Sequence, residues 1–133
     1  MSTATGGRPG AGIGKVLLVE DSMIIALDAE DALRQFGIEQ VTVAGSVRHA
    51  LEAIGSDPPQ LALLDYNLGS ESSERIAERL GELGIPFWFV TGYGDAVANV
   101  SGVGAKARGV LQKPYTNEDL ARVLQEFVSS RES

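Results

Sequence analysis

Asp65 closes the apolar run Leu61-Ala62-Leu63-Leu64. An ionised carboxylate at the end of a buried strand is costly unless something pairs with it. Three other short apolar runs end in groups of equal interest. Lys15–Val19 leads into Glu20-Asp21, Ile85–Val90 into Thr91-Gly92, and Val110-Leu111-Gln112 into Lys113-Pro114. Brought together, these positions supply three carboxylates, a hydroxyl and an ammonium. Two like charges about 4 Å apart repel by about 4 kcal/mol at an effective dielectric near 20, so such a cluster needs a cation. The donors are all oxygen, with no His or Cys beside them in sequence. That favours Mg²⁺ or Mn²⁺, hard ions that take a few carboxylates and keep positions for water or phosphate oxygens. An Asp held by such an ion and facing a Lys and a Thr is suited to accept a phosphoryl group.

That chemistry requires a fold that gathers strand ends. The apolar pattern predicts strands over residues 15–20, 39–45, 60–65, 85–91 and 110–113. Helical spacing fills the intervals. Ile25, Ala29, Ala32, Leu33 and Phe36 share a face, with Ser22 as N-cap and Gly37 as stop. Val47, Ala50, Leu51 and Ile54 share another, capped by Ser46. A short charged helix is expected over 72–84. The closing helix over 116–130 presents Leu120, Val123, Leu124 and Phe127, and Thr116 with Asp119 forms a capping box. Residues 94–109 carry Gly102, Gly104 and Gly109 and predict a short or mobile helix. Strands alternating with helices, and apolar on both faces, imply an open five-stranded parallel sheet covered on both sides. In such sheets the crevice lies beyond the carboxyl ends of the strands.

Composition narrows the function. At 133 residues and 44% hydrophobic, the chain suits one domain over residues 15–130, preceded by a flexible tail over residues 1–14. Its 18 acidic and 11 basic residues leave a net charge of −7, which disfavours nucleic acid as a partner. The absence of Cys excludes disulfides and thiolate metal sites. No apolar run is long enough to span a bilayer, and the first residues lack a signal-peptide core. A cytoplasmic monomer is expected. The G-x-G of residues 10–12 precedes a strand instead of following one, the reverse of a dinucleotide fingerprint.

The ordered motifs resemble those of bacterial response-regulator receiver domains, over about residues 15 to 130. They are the acidic pair in LLVEDS, the Asp of LLDYN, the Thr of FVTGY and the Lys-Pro of LQKPY. The resemblance implies a flavodoxin-like fold with strand order 2-1-3-4-5. It implies that Asp65 is the phosphoacceptor, that Asp21 binds metal directly and Glu20 through water, and that Asn67 offers its backbone carbonyl to the metal. It also implies that Thr91 and Lys113 bind phosphoryl oxygens and that the Lys113–Pro114 bond is cis. The implied partner is a sensor histidine kinase, with a downstream regulator protein as a further one. The domain then acts as a phosphoacceptor and not as an enzyme, signalling by protein contacts or serving as a phosphate sink. Pro86-Phe87-Trp88-Phe89-Val90-Thr91-Gly92-Tyr93 is similar to the Pro-Phe-x-Phe-Ala-Thr-Gly-Tyr motif of one receiver subfamily, with Val90 in place of Ala. One departure is Val110, where receivers carry an inward-turning aromatic; Tyr93 offers an aromatic from another place.

Taken singly, each residue has a plainer account. Glu20-Asp21 suits a helix N-terminus, Asp65 a turn, Thr91 a loop and Lys113 a solvated surface. Their joint placement favours the site. Trp88 reads as core, His49 as a surface residue of the second helix, and the Glu/Arg pattern near residues 74–82 as a solvated face. Two other functions fit parts of the pattern. A phosphatase of the haloacid-dehalogenase type also places an Asp after an apolar strand, but wants an acid where Asn67 stands. A pseudo-receiver would keep the fold as a protein-binding module without phosphorylation.

Overall fold

The computed structural model describes residues 8–68, 71–92 and 107–132. Five strands form one parallel sheet: β1 (Lys15–Val19), β2 (Gln40–Ala44), β3 (Leu61–Asp65), β6 (Phe87–Thr91) and β7 (Gly109–Gln112). Their order is β2-β1-β3-β6-β7. This is the expected 2-1-3-4-5 order once a small hairpin is counted. That hairpin, β4 (Asn67–Leu68) with β5 (Glu71–Ser72), is antiparallel and follows β3, where no strand was expected. Two-residue strands carry no alternation for a pattern to reveal.

The middle of the sheet is almost wholly apolar because its two faces are both covered. Val16, Leu18, Leu61, Leu63, Trp88 and Val90 point to one side, with α1 (Met23–Gln35) and α4 (Asn117–Glu132). Leu17, Val19, Ala62, Leu64, Phe87 and Phe89 point to the other, with α2 (Val47–Ser56) and α3 (Glu74–Leu83). Successive side chains alternate between faces, yet both faces are buried, so the strands read as continuous apolar runs. Among the described residues no helix is long and apolar enough to cross a membrane.

The helix ends follow local chemistry. Ser22 and Ser46 accept from the backbone N–H of Ile25 and His49. Gly37 sits at φ 104°, a conformation that L side chains rarely adopt, and ends the turn after α1. Thr116 and Asp119 exchange hydrogen bonds of 2.9 and 3.1 Å, as a capping box should. Of the expected inner face of α1, Ala29, Ala32 and Leu33 are buried, while Ile25 and Phe36 are half-buried.

Two expectations change. Residues 8–14, read as part of a tail, pack against the domain: Ile13 is fully buried in the α1/α4 core, and the Gly10 N–H donates to the Phe36 carbonyl at 2.7 Å. One Ile in a Gly-rich stretch has no period to announce its burial. Gly109, grouped with the segment 94–109, opens β7 instead. A side chain there would meet the Trp88 indole at 3.0 Å. The rest of that segment, to residue 106, lies outside the described residues, as does Tyr93.

If residues 8–14 belong to the fold, Ile13→Ala should destabilise by about 2–5 kcal/mol, as for other fully buried aliphatics. Urea unfolding of both proteins measures it, and a tail residue would leave the midpoint unmoved.

Candidate functional site

β1, β3, β6 and β7 lie side by side, so their carboxyl ends open onto one crevice. Asp65 is the last residue of β3, in register with Val90, and Thr91 is the last of β6, in register with Gln112. Glu20 follows β1 directly and its N–H donates to the Ala44 carbonyl at 3.0 Å. Lys113 follows β7, and its N–H donates to the Thr91 carbonyl at 2.8 Å. The parallel ladder thus brings together residues as distant in sequence as Glu20 and Lys113.

The charges meet closely. One carboxylate oxygen each from Glu20, Asp21 and Asp65 lies within 4.8 Å of the others. Glu20 and Asp65 are only 3% and 4% exposed, whereas Asp21 is exposed. Lys113 Nζ donates to Asp65 Oδ2 at 3.0 Å and sits 3.0 Å from Glu20 Oε1. The other Glu20 oxygen accepts from the Ser22 N–H at 3.0 Å. Glu20 is therefore held at both oxygens by the protein.

Burial pushes the Asp65 carboxyl from 3.8 up to about 6, and the nearby Glu20 charge adds to this; the Lys113 hydrogen bond pulls the other way. Burial alone would lower the Lys113 ammonium, but its bonds to Glu20 and Asp65 outweigh that and hold it above its ordinary value. Burial raises the Tyr115 hydroxyl as well, with the Glu20 charge as the next cause. With all groups ionised, three carboxylates less one ammonium leave two negative charges. Hard oxygen donors and that charge deficit fit a divalent ion such as Mg²⁺.

The sequence-predicted residues converge as expected for Glu20, Asp21, Asp65 and Lys113. Thr91 is buried at the same rim. Asn67 begins β4, two residues past Asp65, with its side chain exposed. The Lys113–Pro114 bond is cis. Trp88 is core and His49 lies on the exposed side of α2, its Nδ1 3.1 Å from Ser46 Oγ. Val110 is 42% exposed, so the position of the usual aromatic is here a surface aliphatic. Sequence reading missed the Ser22 N–H on Glu20 and the half-buried Tyr115 behind Lys113 and Pro114. Neither carries a residue type or spacing that signals such a role.

The raised Asp65 carboxyl has a consequence for stability. Folding favours its protonated form, so its contribution is greatest below pH 3.8 and is lost as pH rises through about 6. The difference between 3.8 and about 6 is on the order of 3 kcal/mol. Asp65→Asn keeps an acceptor for Lys113 and removes the charge. Without added metal it should raise the unfolding free energy at pH 7.5 by roughly 1–3 kcal/mol, and the gain should shrink towards pH 4. Urea titrations across that range decide it; an equal or lower stability at pH 7.5 contradicts the account.

Most of the chain has counterparts. The sequence model of the response regulator receiver domain matches residues 16–125. The probable chemotaxis protein CheY of Rhizobium etli is 27% identical over 115 residues, covering 84% of this chain and 89% of that protein. The transcriptional regulatory protein PdtaR of Mycobacterium tuberculosis is 29% identical over 118 residues. That match covers 86% of this chain but only 57% of PdtaR, so the chain spans just over half of that relative. The crystal structure of a CheY-like response regulator receiver domain protein from Methanospirillum hungatei superposes with a TM-score of 0.80 at 25% identity. It covers 91% of this chain and 98% of its own. With its sheet order, its acidic crevice and a family match over most of its length, the chain belongs to the response regulator receiver domains of two-component signal transduction.

Proposed function

We propose that this receiver takes a phosphoryl group onto Asp65 from the phosphohistidine of a sensor kinase. The observation that carries this reading is the contact of a buried Asp65 carboxylate with Lys113, beside Glu20 and Asp21. A carboxylate oxygen of Asp65 attacks phosphorus, the P–N bond of the donor breaks, and the departing imidazole keeps the electron pair. Asp21, Asp65 and the Asn67 carbonyl would hold Mg²⁺, with Glu20 acting through water, and the ion would supply charge neutralisation at the phosphoryl oxygens. Lys113 and the Thr91 hydroxyl receive the remaining phosphoryl oxygens, and the burial of Glu20 and Asp65 limits water at the reacting end.

The residues present favour this over a pseudo-receiver, because none of the phosphorylation set is missing. They favour it over a haloacid-dehalogenase-type phosphatase, because Asn67 supplies no second acid. The run Pro86–Tyr93 supports placement in the subfamily with the Pro-Phe-x-Phe-Ala-Thr-Gly-Tyr motif. Output then passes through protein contacts, or the domain drains phosphoryl groups from its kinase. Val110, exposed and aliphatic, supports an output that does not depend on an aromatic turning inward.

A kinase has to seat its histidine over the crevice. Met23, Ile24 and Leu27 at the start of α1 are 64%, 77% and 57% exposed, and Met23 lies two residues from Asp21. This apolar strip beside the acidic mouth supports docking of an apolar helical surface on the donor.

Incubation with Mg²⁺ and acetyl phosphate should add one base-labile phosphoryl group per chain, and Asp65→Asn should abolish it. Mass spectrometry reads both; full labelling of the variant removes Asp65 from the role, and continuous turnover would favour the phosphatase. Asp21→Asn should raise the Mg²⁺ concentration needed for half-maximal labelling. Ile24→Asp should leave labelling by acetyl phosphate unchanged and slow transfer from a cognate phospho-kinase at least ~10-fold, the scale of about 1.4 kcal/mol. Equal slowing of both reactions would point to damage at the crevice and not to docking.

A further inference from the structure

We infer that Ser73 is a positioning residue whose buried hydroxyl fixes the peptide between Tyr66 and Asn67, and through it the metal-facing carbonyl of Asn67. The inference rests on the proposed reading of the crevice as a Mg²⁺ and phosphoryl site.

Ser73 is 0% exposed and occupies the N-cap position of α3. A Ser there ordinarily turns its hydroxyl onto the first turn of its own helix. This one makes no cap bond. Its Oγ donates to the Tyr66 carbonyl at 3.3 Å, and its backbone N–H donates to the same carbonyl at 3.3 Å. Part of the capping falls to the neighbouring residue, since Ser72 Oγ accepts from the Glu74 N–H at 3.4 Å. The hydroxyl of Ser73 is thus spent on the loop and not on the helix.

The loop it holds is the one that matters. The Tyr66 N–H donates to the Val90 carbonyl at 2.8 Å, which ties residue 66 to β6. With its carbonyl held by Ser73, Tyr66 is fixed at both ends one residue after Asp65. The Tyr66 carbonyl and the Asn67 N–H belong to one planar peptide, so orienting the first orients the second. Asn67 then pairs with Ser72 and Leu68 with Glu71 across the hairpin, and Leu68 is buried in the α2/α3 core. Glu71 Oε1 accepts from the Val47 N–H at 3.4 Å, which pins the far strand to the start of α2. The Asn67 carbonyl belongs to the next peptide and lies between two held points, the Tyr66 carbonyl on Ser73 and the buried Leu68. A ligand so held needs no reordering when the metal binds.

The test separates positioning from stability. Ser73→Ala keeps the backbone bond to Tyr66 and removes only the hydroxyl. Its Mg²⁺ dissociation constant, measured by calorimetry on folded protein, should rise about 3- to 10-fold. Half-maximal labelling by acetyl phosphate should shift to higher Mg²⁺ by the same factor, with the rate at saturating Mg²⁺ close to wild type. Ser72→Ala, which removes the bond to Glu74, should lower the unfolding midpoint without moving the Mg²⁺ constant. If Ser73→Ala fails to fold, Ser73→Cys fills the same space with a weaker donor and should show the same direction. Wild-type Mg²⁺ affinity in a folded Ser73 variant overturns the inference alone. A wild-type chain that binds no Mg²⁺ overturns the reading of the crevice and the inference with it.

Discussion

Two buried carboxylates share one ammonium, and the rest of the crevice is arranged around that shortage. Glu20 and Asp65 stand at the ends of adjacent strands, and Lys113 reaches both at 3.0 Å. Removing Lys113 would leave two uncompensated charges in a site almost closed to water, the situation that costs most when one partner of a buried pair is lost. Keeping it still leaves the cluster negative, since Asp21 adds a third carboxylate within 4.8 Å. The cluster is thus partly neutralised by Lys113 and keeps a net negative charge that fits a divalent ion.

Only a parallel sheet supplies this geometry cheaply. Every strand of β2-β1-β3-β6-β7 runs the same way, so every carboxyl end faces the same crevice. β1, β3 and β6 can then run apolar into their carboxyl ends and turn polar there, at Glu20, Asp65 and Thr91, with both layers of helices covering the apolar part. The backbone itself joins the parts of the site: Lys113 donates to Thr91, and Tyr66 donates to Val90. These bonds lock the polar residues to the ladder, so the crevice inherits the rigidity of the sheet. In the Trp88–Gly109 register pair the glycine leaves room for the indole, since a Cβ at 109 would stand 3.0 Å from it.

The strands and the convergence of Glu20, Asp21, Asp65 and Lys113 were legible because a buried parallel strand announces itself as an apolar run and its end as the first charge. Helix caps at Ser22, Ser46 and Thr116 were legible for the same reason, a residue type at a defined offset. Ile13 was not, since a single aliphatic among glycines has no period. The hairpin after Asp65 was not, since two-residue strands are set by pairing and not by pattern. The role of Ser73 was hidden by its own place in sequence: a Ser before a helix reads as a cap, and only coordinates reveal that its hydroxyl points back to Tyr66. The rise of the Asp65 carboxyl to about 6 depends on burial and on Glu20, both set by tertiary contact.

Lys113 holds the two buried carboxylates together. Its ammonium offsets part of their charge and keeps Glu20 and Asp65 at a separation their repulsion would otherwise widen. Glu20 is anchored at both oxygens: one accepts from the Ser22 N–H and the other keeps Lys113 close. Asp65 is held at Oδ2 by the same Lys113, while burial and the Glu20 charge both disfavour its ionised form. On the proposed reading, transfer of a phosphoryl group moves negative charge outward from the Asp65 carboxylate onto phosphoryl oxygens. A half-buried Lys on a flexible stem can follow that charge while Glu20 keeps its other end tethered. On that reading Asp65 is the member of the pair whose contacts change, while Glu20 stays tied to the Ser22 N–H.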